Sequence, residues 1–103
     1  MTLIHERSFG NRKKLKSIWL NTGLERLEEM CFRNTGIKTL VLPASVTNIE
    51  HQVFKDCASL RYVDLRAAHK LKHLGNELFS GCITLKHVLL NEGLETISRE
   101  CFR

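Results

Sequence analysis

The stretch Ile37-Lys38-Thr39-Leu40-Val41-Leu42-Pro43-Ala44-Ser45-Val46-Thr47-Asn48-Ile49-Glu50-His51-Gln52-Val53-Phe54 reads as one turn of a repeating structure. Leu40 and Leu42 alternate with Thr39, Val41 and Pro43, the two-residue period of a short strand with one apolar face. Past Pro43 the period changes. Val46, Ile49 and Phe54 follow at intervals of three and five, which suits a bend, a second short strand and a helical turn returning along the opposite wall.

Working outward, the same pattern recurs along the chain. Phe9, Phe32, Phe54, Phe79 and Phe102 lie 23, 22, 25 and 23 residues apart and are all the phenylalanines present. Five or six residues after each of the first four come three aliphatic positions: Leu15, Ile18, Leu20; Ile37, Leu40, Leu42; Leu60, Val63, Leu65; Leu85, Val88, Leu90. Two more follow in every unit, at Leu24 and Leu27, Val46 and Ile49, Leu71 and Leu74, Leu94 and Ile97. Turn-prone residues such as Asn21-Thr22-Gly23 and Asn91-Glu92-Gly93 separate the two halves. One coil cannot shield such an interior. Coils stacked at the strand spacing of about 4.8 Å can, so the sequence predicts a mainly β solenoid of about four repeats forming a single domain over residues 1–103.

Segments such as Leu40 to Ile49 and Val53-Phe54-Lys55-Asp56-Cys57 resemble the BspA-type, or treponemal-type, leucine-rich repeat, and the resemblance runs from about Ile4 to Phe102. It implies a right-handed solenoid with a concave parallel sheet and a convex wall of short strands or helical turns. It also implies a non-catalytic protein-binding or adhesive module of a cell-surface or secreted protein, with structural spacer repeats in a longer surface protein as the alternative. The family offers no catalytic residues to transfer. The chain departs from its pattern in having Pro43 in one repeat only, cysteine before phenylalanine at Cys31 and Cys101, and two extra residues around Ala67 to Lys70.

Composition narrows the function. A hydrophobic content of 43% is enough for a core, and no apolar run approaches the roughly 20 residues of a membrane span. Met1 to Asn11 carries His5, Glu6 and Arg7 where a signal peptide would be apolar, so no export signal is expected there. Of the net charge of +5, Arg7, Arg12, Lys13, Lys14 and Lys16 against Glu6 supply +4. That describes a basic N-terminal edge and no basic stripe; without interleaved aromatic rings it does not predict nucleic-acid binding. Cys31, Cys57, Cys82 and Cys101 lack zinc spacing and fall at repeat columns, where they read as buried free thiols. His69 and His73 have the spacing of a helical metal pair, but no third ligand lies near in sequence and Leu71 between them is a core position. No cofactor, metal or catalytic site is expected, and no G-x-S-x-G nucleophile setting occurs.

The strand residues pointing away from the core are the candidate binding surface. In register they are Ser17, Thr39, Tyr62 and His87; Trp19, Val41, Asp64 and Leu89; and Asn21, Pro43, Arg66 and Asn91. Trp19, Val41 and Leu89, with Tyr62 beside them, form an apolar and aromatic patch of the kind found at interface hot spots. With Asp64, Arg66 and His87 they are the expected contact residues for a protein partner. Neither end carries a recognisable cap, and an uncapped end is expected to support a homodimer.

Overall fold

The computed structural model describes residues 9–18, 20, 22–98 and 100–102, together with the backbone of residues 3–4. Its elements are eight short strands: β1 (Leu3–Ile4), β2 (Arg26–Leu27), β3 (Thr39–Val41), β4 (Asn48–Ile49), β5 (Tyr62–Asp64), β6 (His73–Leu74), β7 (His87–Leu89) and β8 (Thr96–Ile97). All pairing is parallel. The concave wall is the sheet β3-β5-β7, with Thr39 opposite Tyr62 opposite His87 and Val41 opposite Asp64 opposite Leu89, the register set by the sequence columns. The convex wall carries β1-β2-β4 and β6-β8.

The convex sheet is interrupted between β4 and β6, at the unit with the extra residues. There the imidazole Nδ1 of His51 accepts a hydrogen bond of 2.9 Å from the backbone N–H of Asn76. Gly75 makes room for that ring, because a Cβ at this position would stand 2.9 Å from the same nitrogen.

A helical turn was expected before each phenylalanine; no helix occurs among the described residues. The reason lies in the backbone donors. The N–H groups of Phe9, Phe32, Phe54 and Phe79 bond to the carbonyls of Cys31, Val53, Leu78 and Cys101 in the next coil, at 2.7 to 3.1 Å. Those of Asn11, Asn34 and Asp56 reach Arg33, Lys55 and Ser80 in the same way. Donors committed to a neighbouring coil cannot close the i to i−4 bonds of an α-helix, so the segment folds as consecutive turns. These turns need left-handed backbone two residues after each phenylalanine, at Asn11, Asn34, Asp56 and Gly81, with φ of 64°, 58°, 61° and 76°. Asn, Asp and Gly tolerate that conformation best. Met30, Gln52 and Glu77, two residues before, adopt it as well, with φ of 59°, 59° and 54°, held partly by bonds from Met30 N–H to His51 and Gln52 N–H to Asn76.

The core follows the columns. Ile37, Leu40, Leu42, Leu60, Val63 and Leu65 are fully buried, as are Phe54 and Cys57. The five phenylalanine rings form one stack with centroids 5.2, 5.7, 5.8 and 5.4 Å apart and planes within 16° of parallel, an offset arrangement favourable beyond simple area burial. Burial fades toward the ends. Leu15, Ile18 and Leu20 in the first full coil are half-buried, and in the last Leu90, Ile97 and Phe102 are 42%, 44% and 47% exposed. Each coil is therefore sealed by its neighbours.

Leu40 is buried between flanking coils, so Leu40→Ala is expected to destabilise the chain by about 2 to 5 kcal/mol through the cavity it leaves. Urea denaturation measures this, and a midpoint equal to that of the parent would contradict the coil assignment.

Candidate functional site

The concave wall presents one side chain in two from each strand, so its chemistry is fixed by the columns on either side of Leu40, Val63 and Val88. Val41 stands out from β3 with 59% of its surface exposed. Beside it lies an open depression of about 520 Å³ whose lining includes Ile18, Leu20, Thr22, Val41, Pro43 and Ala67. Ile18 and Leu20 of the first full coil, both half-buried, supply one side of this apolar hollow. Trp19, expected in the same outward column as Val41, lies outside the described residues.

Asp64 occupies the middle of the same column, between Val41 and Leu89. Its Oδ1 accepts from the Arg66 backbone N–H at 3.0 Å and from Nε at 3.1 Å, and its Oδ2 from Nη2 at 3.0 Å. The Arg66 side-chain bonds come first among the causes that hold the Asp64 carboxyl below its ordinary value; in turn Asp64, and to a lesser degree Tyr62, raises the Arg66 guanidinium. The apolar patch is consequently divided. A hollow around Val41 lies on one side of a bidentate ion pair, with half-buried Leu89 and exposed His87 on the other.

Asn91 was expected on the outer face and is instead buried. Its Nδ2 donates to the carbonyls of Ala68 at 2.8 Å and Leu71 at 3.3 Å. The Ala68 carbonyl, in the bend that carries the extra residues, also accepts from the Leu71 N–H at 3.1 Å, so the Asn91 amide of the next coil adds a second bond to it. His69 and His73 do not form a pair: His69 lies in the bend beside the carbonyl of Ala67, and His73 in β6 against the Thr96 hydroxyl. Among the described residues no three of His, Cys, Asp and Glu converge as metal ligands, and no helix is long and apolar enough to cross a membrane.

The thiols belong to the core. Cys57 Sγ donates to the Phe32 carbonyl at 3.3 Å and Cys82 Sγ to that of Phe54 at 3.2 Å, one rung apart, with Thr35 Oγ1 3.4 Å from Cys57. Cys31, Cys57 and Cys101 are buried and Cys82 is half-buried. Burial pushes Cys31 and Cys82 up to about 12 and Cys101 up to about 11 from an ordinary 9.0, and raises Cys57 also. Such thiols are poor nucleophiles.

Geometry and sequence together define a leucine-rich-repeat solenoid with parallel sheets. The model of the BspA type leucine rich repeat region matches residues 1–103 in six copies, and the chain belongs to that family. It is similar to a leucine-rich repeat protein from Bacteroides ovatus of known crystal structure, with 35% identity and a TM-score of 0.92 over 98% of this chain. The match spans 26% of the Bacteroides chain, so this chain corresponds to about a quarter of that protein. No curated protein matches it. Leucine-rich repeat modules are often involved in binding or adhesion and are typically not enzymes.

Because the folded thiols hold their protons more tightly than an unfolded thiol near 9.0, their stabilising contribution is complete below pH 9 and is lost as pH rises toward 12. Denaturation midpoints should decline over that window. Alkylation at pH 8 followed by mass spectrometry should label the native protein slowly, Cys82 first, and all four cysteines after denaturation. An intrachain disulfide would overturn the column geometry.

Proposed function

We propose that the chain is a non-catalytic binding module whose concave wall receives a protein partner. The exposure of Val41 beside the hollow of Ile18, Leu20 and Pro43 carries this reading, since an apolar recess next to a bidentate ion pair combines an apolar anchor point with an orienting charge. Val41, Tyr62, Asp64, Arg66, His87 and Leu89 are the contact residues, with Trp19 joining them by its place in the column. The same reading has the module displayed at the cell surface or secreted, in keeping with a family often involved in binding or adhesion. A structural spacer would have no use for this face.

Pull-down with the wild-type chain, a Val41→Asp/Arg66→Asp variant and a convex-wall Arg26→Asp variant separates the two. Loss of the bound protein with the concave variant alone is expected; equal recovery with all three would favour the spacer.

Exposure of Leu90, Ile97 and Phe102 supports a second element of the proposal, a homodimer formed when this chain buries its last coil against the same coil of another copy. Light scattering over a dilution series should show the mass rising toward two chains. A monomer at every concentration would refute self-association, and a dimer that survives Leu90→Asp would move the contact elsewhere.

A further inference from the structure

Stacking creates a charged feature that the linear sequence conceals. Lys38, Arg61 and Lys86 each precede a concave strand, Lys16 holds the same place in the first full coil, and backbone bonds join the four in succession: Lys38 N–H to Lys16 O at 3.3 Å, Arg61 N–H to Lys38 O at 2.9 Å, and Lys86 N–H to Arg61 O at 3.0 Å. They are consecutive rungs of one ladder, about 4.8 Å apart and about 14 Å from end to end. All four are exposed. Lys38, Arg61 and Lys86 line an open groove of about 460 Å³ together with Ala58, Ser59, Ile83 and Thr84, and no carboxylate lines it.

Elsewhere several cations are paired with a carboxylate of the neighbouring coil. On the convex side, Arg26 pairs with Glu50 at 3.2 Å, Lys55 with Glu77 at 2.7 Å and Arg33 with Asp56 at 3.8 Å, each bond spanning two coils. None of the four ladder cations forms an ion pair among the described residues. Like charges set directly opposite on neighbouring parallel rungs repel, and nothing in the fold requires them, since their side chains pack on no core. A multivalent anion lying along the solenoid axis would relieve the repulsion and release counterions.

We propose that this ladder binds a linear anionic polysaccharide, its sulfate or carboxylate groups meeting successive rungs. Lysine predominates, and its point charge on a flexible stem tolerates the irregular group spacing of such a polymer. The adjoining column supplies Ser17 and Thr39, and the groove itself Ser59, as hydroxyl partners for sugars. An acidic peptide could not add as a strand across this face, because the backbone groups of the rungs are already bonded to one another. A single-stranded nucleic acid would want successive exposed rings, and the adjoining column offers a half-buried Tyr62 and one imidazole, His87.

The test is fluorescence anisotropy of a labelled heparin oligosaccharide against the full chain over a salt series, with neutral dextran, oligo-dT and polyglutamate as competitors. Lys38→Gln/Arg61→Gln/Lys86→Gln should weaken binding by about tenfold or more and flatten the slope of log Kd against log salt by about two. Lys55→Gln/Lys70→Gln/Lys72→Gln removes the same formal charge and should leave affinity within about twofold. Should the ladder triple melt early, the single Lys86→Gln carries the same reading, with a loss of about threefold. Equal losses in the two triples would reduce the ladder to diffuse charge and overturn the proposal. So would the absence of heparin binding, or tighter ladder-dependent binding of oligo-dT or polyglutamate.

Discussion

Backbone groups passed from coil to coil are the constraint on which the remaining structure depends. At the phenylalanine turn, Phe32 N–H bonds to Val53 O and Asn34 N–H to Lys55 O; one coil further on, Phe54 N–H bonds to Leu78 O and Asp56 N–H to Ser80 O. This commitment forbids a helix on the convex wall, forces left-handed backbone at both ends of the turn, and brings the phenylalanine rings into their stack. A residue's position in its coil then decides its neighbours more strongly than its position in the chain. Leu40, Val63 and Val88 are 23 and 25 residues apart in sequence and adjacent in the sheet.

Such a lattice explains which parts of the fold were legible in the sequence. Columns of aliphatic residues and phenylalanine report burial directly, so the strands, their register and the core could be read from spacing alone. The missing helix could not, because an interval of three, four or five between apolar residues is the same for a helical turn and for a chain of β-turns. A signal did exist in Asn11, Asn34, Asp56 and Gly81, a column of residues tolerant of positive φ. Met30, Gln52 and Glu77 carried no such signal. Their conformation follows from the turn between coils, which overrides local preference.

The candidate site was legible in part for the same reason. Outward positions beside Leu40 follow from strand alternation, and Val41, Asp64 and Leu89 do share a column. What they do to each other was not legible. The bidentate bond between Asp64 and Arg66 divides a patch that the column alone presents as continuous, and the Asn91 amide turns inward to the Ala68 carbonyl. Both depend on side-chain reach across a bend, which spacing does not encode. The charge ladder illustrates the opposite failure. Lys38, Arg61 and Lys86 are isolated cations in the linear chain, and Lys16 reads there only as the end of the basic run from Arg12.

In a stacked architecture, one residue type repeated once per period becomes a line of that chemistry, whatever the chemistry is. Repeated phenylalanine gives a stack that stabilises, because each ring gains an apolar face on both sides. Opposite charges alternating between coils also stabilise, as on the convex wall, where Lys55 and Gln52 both bond to Glu77 and hold its carboxyl below the ordinary range, Lys55 contributing most. Repeated like charge is the arrangement that stacking penalises. A basic column therefore differs in kind from the basic N-terminal edge: loop charges can turn away from one another into solvent, whereas charges on bonded rungs stay in line. That distinction makes the ladder, and not the larger concentration of lysine and arginine before it, the more informative feature of the protein's charge.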